Sequence, residues 1–91
     1  MNNLKKIVSV IKPFIFEQNI IVYEDGNKID VISCNINELP NNILQLANQY
    51  ELTNIELAGP TSYLKGIKKQ IQELELTAYE TNNLEIKIIS E

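Results

Sequence analysis

The sequence predicts an α/β domain, a mixed sheet of four to five strands with two helices in the order β-β-β-α-β-α-β. Three observations lead there. Residues 53–74, TNIELAGPTSYLKGIKKQIQEL, read as a short apolar strand, a Gly-Pro break and an amphipathic helix. Asp25-Gly26 lies between two β-prone runs and supplies the positive φ angles of a tight hairpin. Leu39, Ile43, Leu46, Ala47 and Tyr50 recur at helical spacing.

In chain order, Leu4 to Ile11 is the first strand, rich in Ile and Val, and Pro13 ends it. Two lysines precede this apolar run as in a signal peptide. The run stops at Lys12-Pro13 with no small-residue cleavage site, so it reads as a strand. Phe14-Ile15-Phe16 holds both phenylalanines, two apart and on one face if extended. Ile20 to Glu24 and Lys28 to Asn35 flank the hairpin turn. The second of these carries Ile29 and Val31 on one face, Ile32 and Cys34 on the other, which predicts an interior strand.

Asn37 is the expected cap of the first helix, with Glu38 in its first turn and Pro40 tolerated there. Ile55, Leu57 and Ala58 form the next strand. Thr61 or Ser62 caps the second helix, whose Leu64, Ile67, Ile71 and Leu74 share a face and which extends to Ala78. Thr81-Asn82-Asn83 is a turn. Leu84 to Ile89 is the last strand, with Leu84, Ile86 and Ile88 facing one way and Glu85, Lys87 and Ile89 the other. The terminal strands, Leu4–Ile11 and Leu84–Ile89, are the expected sheet edges.

Ninety-one residues with 44% hydrophobic content make one domain, 1–91. No apolar run approaches the ~20 residues of a membrane span. The net charge of −4 and the lack of any arginine disfavour nucleic-acid binding, which needs positive surface and profits from bidentate guanidinium contacts. One cysteine, Cys34, excludes an internal disulfide and suits a reducing cytoplasm.

The element order resembles the ribonuclease-H-like core. That resemblance implies convergent carboxylates on the opening strand and near the C-terminal end of the strand after the first helix. KKIVSVI offers Lys5, Lys6 and Ser9 instead, and Leu57-Ala58-Gly59 has no acid. Glu56 is the nearest, and one acid cannot hold two metals. The segment LANQYELTNIELAGPTSYLKGIKKQI is also similar to segments in small uncharacterised proteins of tailed phages, which implies a phage-encoded protein in the host cytoplasm.

Other chemistry is poorly supplied. Without histidine there is no Ser-His or Cys-His pair, and one cysteine cannot build a tetrahedral zinc site. Cys34 reads as a small buried hydrophobe. EDGNKID lacks the ligand spacing of a calcium loop. The expectation is therefore no enzyme, no metal and no cofactor.

Two binding regions remain. Gly59, Thr61 and Ser62, with Lys65 further along the helix, are the candidate site for a small anion or nucleotide, at a helix N-terminus beyond a strand end. Val8, Val10, Phe14 and Phe16, with Tyr63 and Tyr79, are the candidate protein interface, centred on Ile7–Phe16. A non-catalytic interaction or assembly module, self-associating or binding another protein, is the leading expectation. The anion or nucleotide binder is the alternative, and a degenerate nucleic-acid-processing domain a further one.

Overall fold

The structure is a computed structural model and describes residues 4–77 and 84–90. The first strand, β1 (Lys5–Val10), is followed by β2 (Glu17–Glu24) and β3 (Asn27–Asn35) in an antiparallel meander. Asp25 and Gly26 have φ of 52° and 83°, the left-handed pair that a two-residue hairpin turn requires. The Asp25 carboxylate also accepts the Leu4 amide at 2.9 Å, tying this turn to the start of β1. A 3-10 turn (Ile36–Glu38) leads into α1 (Leu39–Gln49), then β4 (Asn54–Gly59), α2 (Thr61–Thr77) and β5 (Glu85–Ser90).

The sheet order is β3-β2-β1-β4-β5, with β4 parallel to β1 and β5 parallel to β4. Strands β1, β3, β4 and β5 therefore share one direction, and their C-terminal ends lie along one side of the sheet. Both crossovers run toward β5. Right-handed connections then place both helices on the same face.

That face holds the core. Ile7, Ile20, Val22, Ile55 and Leu57 from the sheet pack with Leu39, Ile43 and Leu46 of α1 and Leu64, Ile67 and Ile71 of α2. Ile86 and Ile88 of β5 are partly buried against the same cluster, whereas Ile89 faces away, as their alternation requires. Tyr50 seals the end of α1 and its hydroxyl donates to the Asp30 carboxylate at 2.6 Å. That bond first, then burial and the Asp30 charge, holds the Tyr50 hydroxyl above its ordinary pKa.

Several expectations change. The opening strand is central, paired with β2 on one side and β4 on the other. Its apolarity on both faces reflects that position. β3 is an edge strand, and its outward Ile29 and Val31 are exposed because no helix covers that side. Asn37 does not cap α1, because the 3-10 turn carries the chain past it and Glu38 takes the cap position without a side-chain bond. The expected end of the second helix at Ala78 and the turn at Thr81–Asn83 lie outside the described residues.

Ile71 is fully buried between α2 and the sheet. Ile71→Ala should lower stability by about 2–5 kcal/mol in urea melts, as large-to-small core changes do. A loss under about 1 kcal/mol would contradict this packing.

Candidate functional site

The residues with functional promise gather where the parallel strands end. Beyond Val10 the chain continues through Ile11, whose amide donates to the Ala58 carbonyl at 2.8 Å. Gly59 sits opposite, with φ of 141°, and a Cβ there would lie 2.9 Å from the Ile11 carbonyl oxygen. Glycine is needed at this point because two backbones meet where a side chain would stand.

Pro60 follows, and its carbonyl accepts the amides of Tyr63 and Leu64, both at 3.1 Å. Pro60 thus occupies the position before α2, and Thr61 and Ser62 lie inside the first turn rather than capping it. The Thr61 hydroxyl is hydrogen-bonded to the Ser90 hydroxyl at the end of β5. Ser62 and Lys65 are exposed. The four anion-site candidates therefore stay close, but Gly59 and Thr61 each have a structural duty. A shallow cleft of about 370 Å³ runs from Ser62, Tyr63 and Gly66 to Asn37 and Gln70, with no lysine in its wall.

The loop between β1 and β2 is built differently. Lys12-Pro13-Phe14-Ile15 is a β-turn closed by the Ile15 amide on the Lys12 carbonyl at 3.1 Å, with Pro13 at the position that presets φ. Gln18, only 2% exposed, anchors it from below. Its amide nitrogen donates to the Lys12 carbonyl at 2.7 Å and the Ile15 carbonyl at 2.5 Å, and its oxygen accepts the Lys12 amide at 2.9 Å. Across the loop base, the Ile36 amide donates to the Phe16 carbonyl at 2.8 Å. A fixed loop thus presents Phe14 at 100% exposure and Phe16 at 62%.

The loop adjoins the sheet face that carries no helix. Val8, Ile21 and Val31 stand side by side across β1, β2 and β3, and Val10, Ala58 and Ile89 across β1, β4 and β5. Val10 and Val31 are nearly half exposed. Beside the loop a hollow of about 420 Å³ is lined by Val10, Ile15 and Ile21, together with Lys12, Glu17 and Asn19. Of the interface candidates, Val8 and Val10 lie on this face and Val10 lines the hollow, while Phe14 and Phe16 stand on the loop and line no part of it. Tyr63 is on α2, away from this face, and Tyr79 lies outside the described residues.

Gln18, Ile15 and Ile21 were missed in the sequence. The signal for Gln18 was parity: in EQNIIVYE it shares a face with the buried Ile20 and Val22, so an amide was placed at a core position. Ser9 follows the same logic, fully buried with its hydroxyl donating to the Asn19 carbonyl at 2.7 Å. Ser9 occupies the opening strand where the ribonuclease H resemblance called for a carboxylate. Glu56 is ion-paired with Lys6 at 3.0 Å. Among the described residues no three His, Cys, Asp or Glu side chains are placed to hold a metal ion. Cys34 is half-buried, and burial first, then the Glu38 charge, push its thiol above the ordinary pKa, which disfavours the thiolate.

A cleft of about 620 Å³ is at the opposite end of the strands, between Lys6, Asn54 and Glu56 and the Lys68 and Gln72 side of α2. Its wall ends at Leu84, beside residues outside the described range, and no site is assigned to it.

No protein-family model matches the chain, and no curated protein does. Among solved structures the chain is similar to a protein of Bacteroides thetaiotaomicron VPI-5482 with an actin-like ATPase fold and unknown function. The TM-score is 0.57 at 14% identity, over 96% of this chain and 32% of that one. The chain therefore spans about a third of its neighbour's length. The likeness establishes the fold, a five-stranded mixed sheet of the ribonuclease-H-like and actin-like kind.

Gly59→Ala should cost about 1–3 kcal/mol in thermal or urea melts, because it adds a strained φ and a clash with Ile11. Gln18→Leu should cost a similar ~1–3 kcal/mol or more and speed amide exchange at Lys12, since it strips partners from buried backbone groups. An unchanged melt for either variant would contradict the geometry described for it.

Proposed function

We propose that this chain is a non-catalytic protein-interaction module that docks through its helix-free sheet face and the Phe14–Phe16 loop. One observation carries the reading: a fully exposed phenylalanine on a turn that a buried glutamine holds in place. An apolar side chain in water on a rigid support is a preorganised anchor, because little conformational freedom is lost when a partner covers it. The exposed Val10, Ile15 and Phe16 around it extend the apolar surface. A cytoplasmic setting suits the single free thiol. An accessory role in a phage-encoded system is part of the same proposal and rests on the sequence resemblance of residues 46–71.

The second reading is a small-anion or nucleotide binder at Gly59, Thr61, Ser62 and Lys65. The exposed Ser62 and Lys65 at the start of α2 favour it, as does the neighbour's ATPase fold. It is the weaker reading, because Gly59 and Thr61 are already explained by Ile11 and Ser90. A degenerate nucleic-acid-processing domain has less support still, given Ser9 in the opening strand and the Lys6–Glu56 pair.

A photo-crosslinking amino acid at position 14 or 10, in cells that make this protein, should give covalent adducts, whereas position 69 on α2 should give none. Absence of adducts at both 14 and 10, or equal adducts at 69, would defeat the docking reading. ATP, ADP or phosphate with Mg²⁺ should leave the melting temperature unchanged. A bound ligand at ~100 times its Kd would instead add about 2.7 kcal/mol and favour the second reading. Nuclease assays with Mg²⁺ or Mn²⁺ should show no cleavage. Cleavage lost in Glu56→Gln would refute the non-catalytic proposal.

A further inference from the structure

The exposed anchor and the hollow beside it belong to one surface, and each lacks what the other supplies. Phe14 is fully exposed among the described residues, and it does not line the hollow. The hollow has Val10, Ile15 and Ile21 as its apolar wall and is left open by the described residues. Its volume of about 420 Å³ falls within the range of small-ligand pockets and has room for a phenyl ring.

We propose that the occupant is a second copy of this chain, with Phe14 of each copy seated in the Val10–Ile15–Ile21 hollow of the other. This rests on the docking reading above and names its partner. Phe14 and the hollow lie within a few residues of one another, so a two-fold axis passing between them brings each phenylalanine to the other copy's hollow. Such a contact is isologous and closes at two copies.

Charge supports the choice. The chain carries a net −4, yet the hollow is lined by one lysine, Lys12, and one glutamate, Glu17, and is locally neutral. The two-fold can bring Lys12 of one copy toward Glu17 of the other, and the overall repulsion is not concentrated at the contact. The Gln18 bonds fix the turn, so the phenylalanine is presented without reordering the loop.

Sedimentation equilibrium on the purified full chain tests this. Wild type should be a monomer–dimer mixture. Phe14→Ser, which removes an exposed side chain, should weaken dimerisation about 30-fold, the loss of one hot-spot contact. Val10→Lys, which places a charge in the hollow, should do the same. Tyr63→Ser, on α2, should change it less than about twofold. Circular dichroism melts run alongside show that Phe14→Ser remains folded. A wild-type monomer up to ~1 mM, or a dimer indifferent to both Phe14→Ser and Val10→Lys, overturns the proposal. A monomer that still crosslinks from position 14 to other proteins sinks the second copy while the docking reading stands.

Discussion

Handedness decides which surfaces of this molecule meet water. Both crossovers, β3-α1-β4 and β4-α2-β5, step in the same direction along the sheet, so right-handed connections lay both helices on one face. With α1 and α2 together, Leu39, Ile43, Leu64 and Ile71 close over Ile7, Ile20, Ile55 and Leu57. The opposite face carries no helix, and its outward residues range from the buried Ala58 to the half-exposed Val10 and Val31. Its apolar rows exist because the alternation that fills one side of a strand leaves the other to sequence choice, and here the choice is Val8, Val10, Ile21, Val31 and Ile89.

The end of the sheet is held together by backbone rather than by side-chain bulk. Ile11 bonds Ala58, Gly59 passes tightly over Ile11, Phe16 bonds Ile36, and Thr61 meets Ser90. These contacts link the β1–β2 loop, the entry to α1, the start of α2 and the end of β5. The loop bearing Phe14 is therefore mounted on an interconnected end of the sheet, and Gly59 and Thr61 are absorbed into the same scaffold.

Much of the architecture was legible in the sequence, because periodicity and turn chemistry report on local structure. The Asp25-Gly26 hairpin, the α2 stripe of Leu64, Ile67 and Ile71 and the alternation of Ile86, Ile88 and Ile89 all appear as expected. Position within the sheet was not legible from the same signals. Two-sided apolarity in KKIVSV marks a central strand, whereas in NKIDVISCN it marks an edge whose outer side lacks a helix, and the letters do not distinguish the two. Capping failed similarly: Asn37 and Thr61 are good caps by type, but a 3-10 turn and Pro60 claim those positions. The interface candidates Val8, Val10, Phe14 and Phe16 follow from an expected sheet edge at the opening strand with both phenylalanines beside it, whereas that strand is central. What fixes the turn that carries Phe14, the Gln18 anchor, depends on three backbone groups of that loop, which the strand's own letters do not report.

The central place of β1 also has a consequence for synthesis. Its first partner, β2, follows within a few residues, but its second, β4, is encoded some 50 residues later, Lys6 pairing with Asn54. On a ribosome adding about 5–20 residues per second, the β1–β2–β3 meander emerges seconds before residues 54–59 do. During that interval β1 is an outer strand, apolar on both faces, with one flank of backbone groups unmatched. The nascent chain is most open to wrong pairing then, and arrival of β4 ends that exposure.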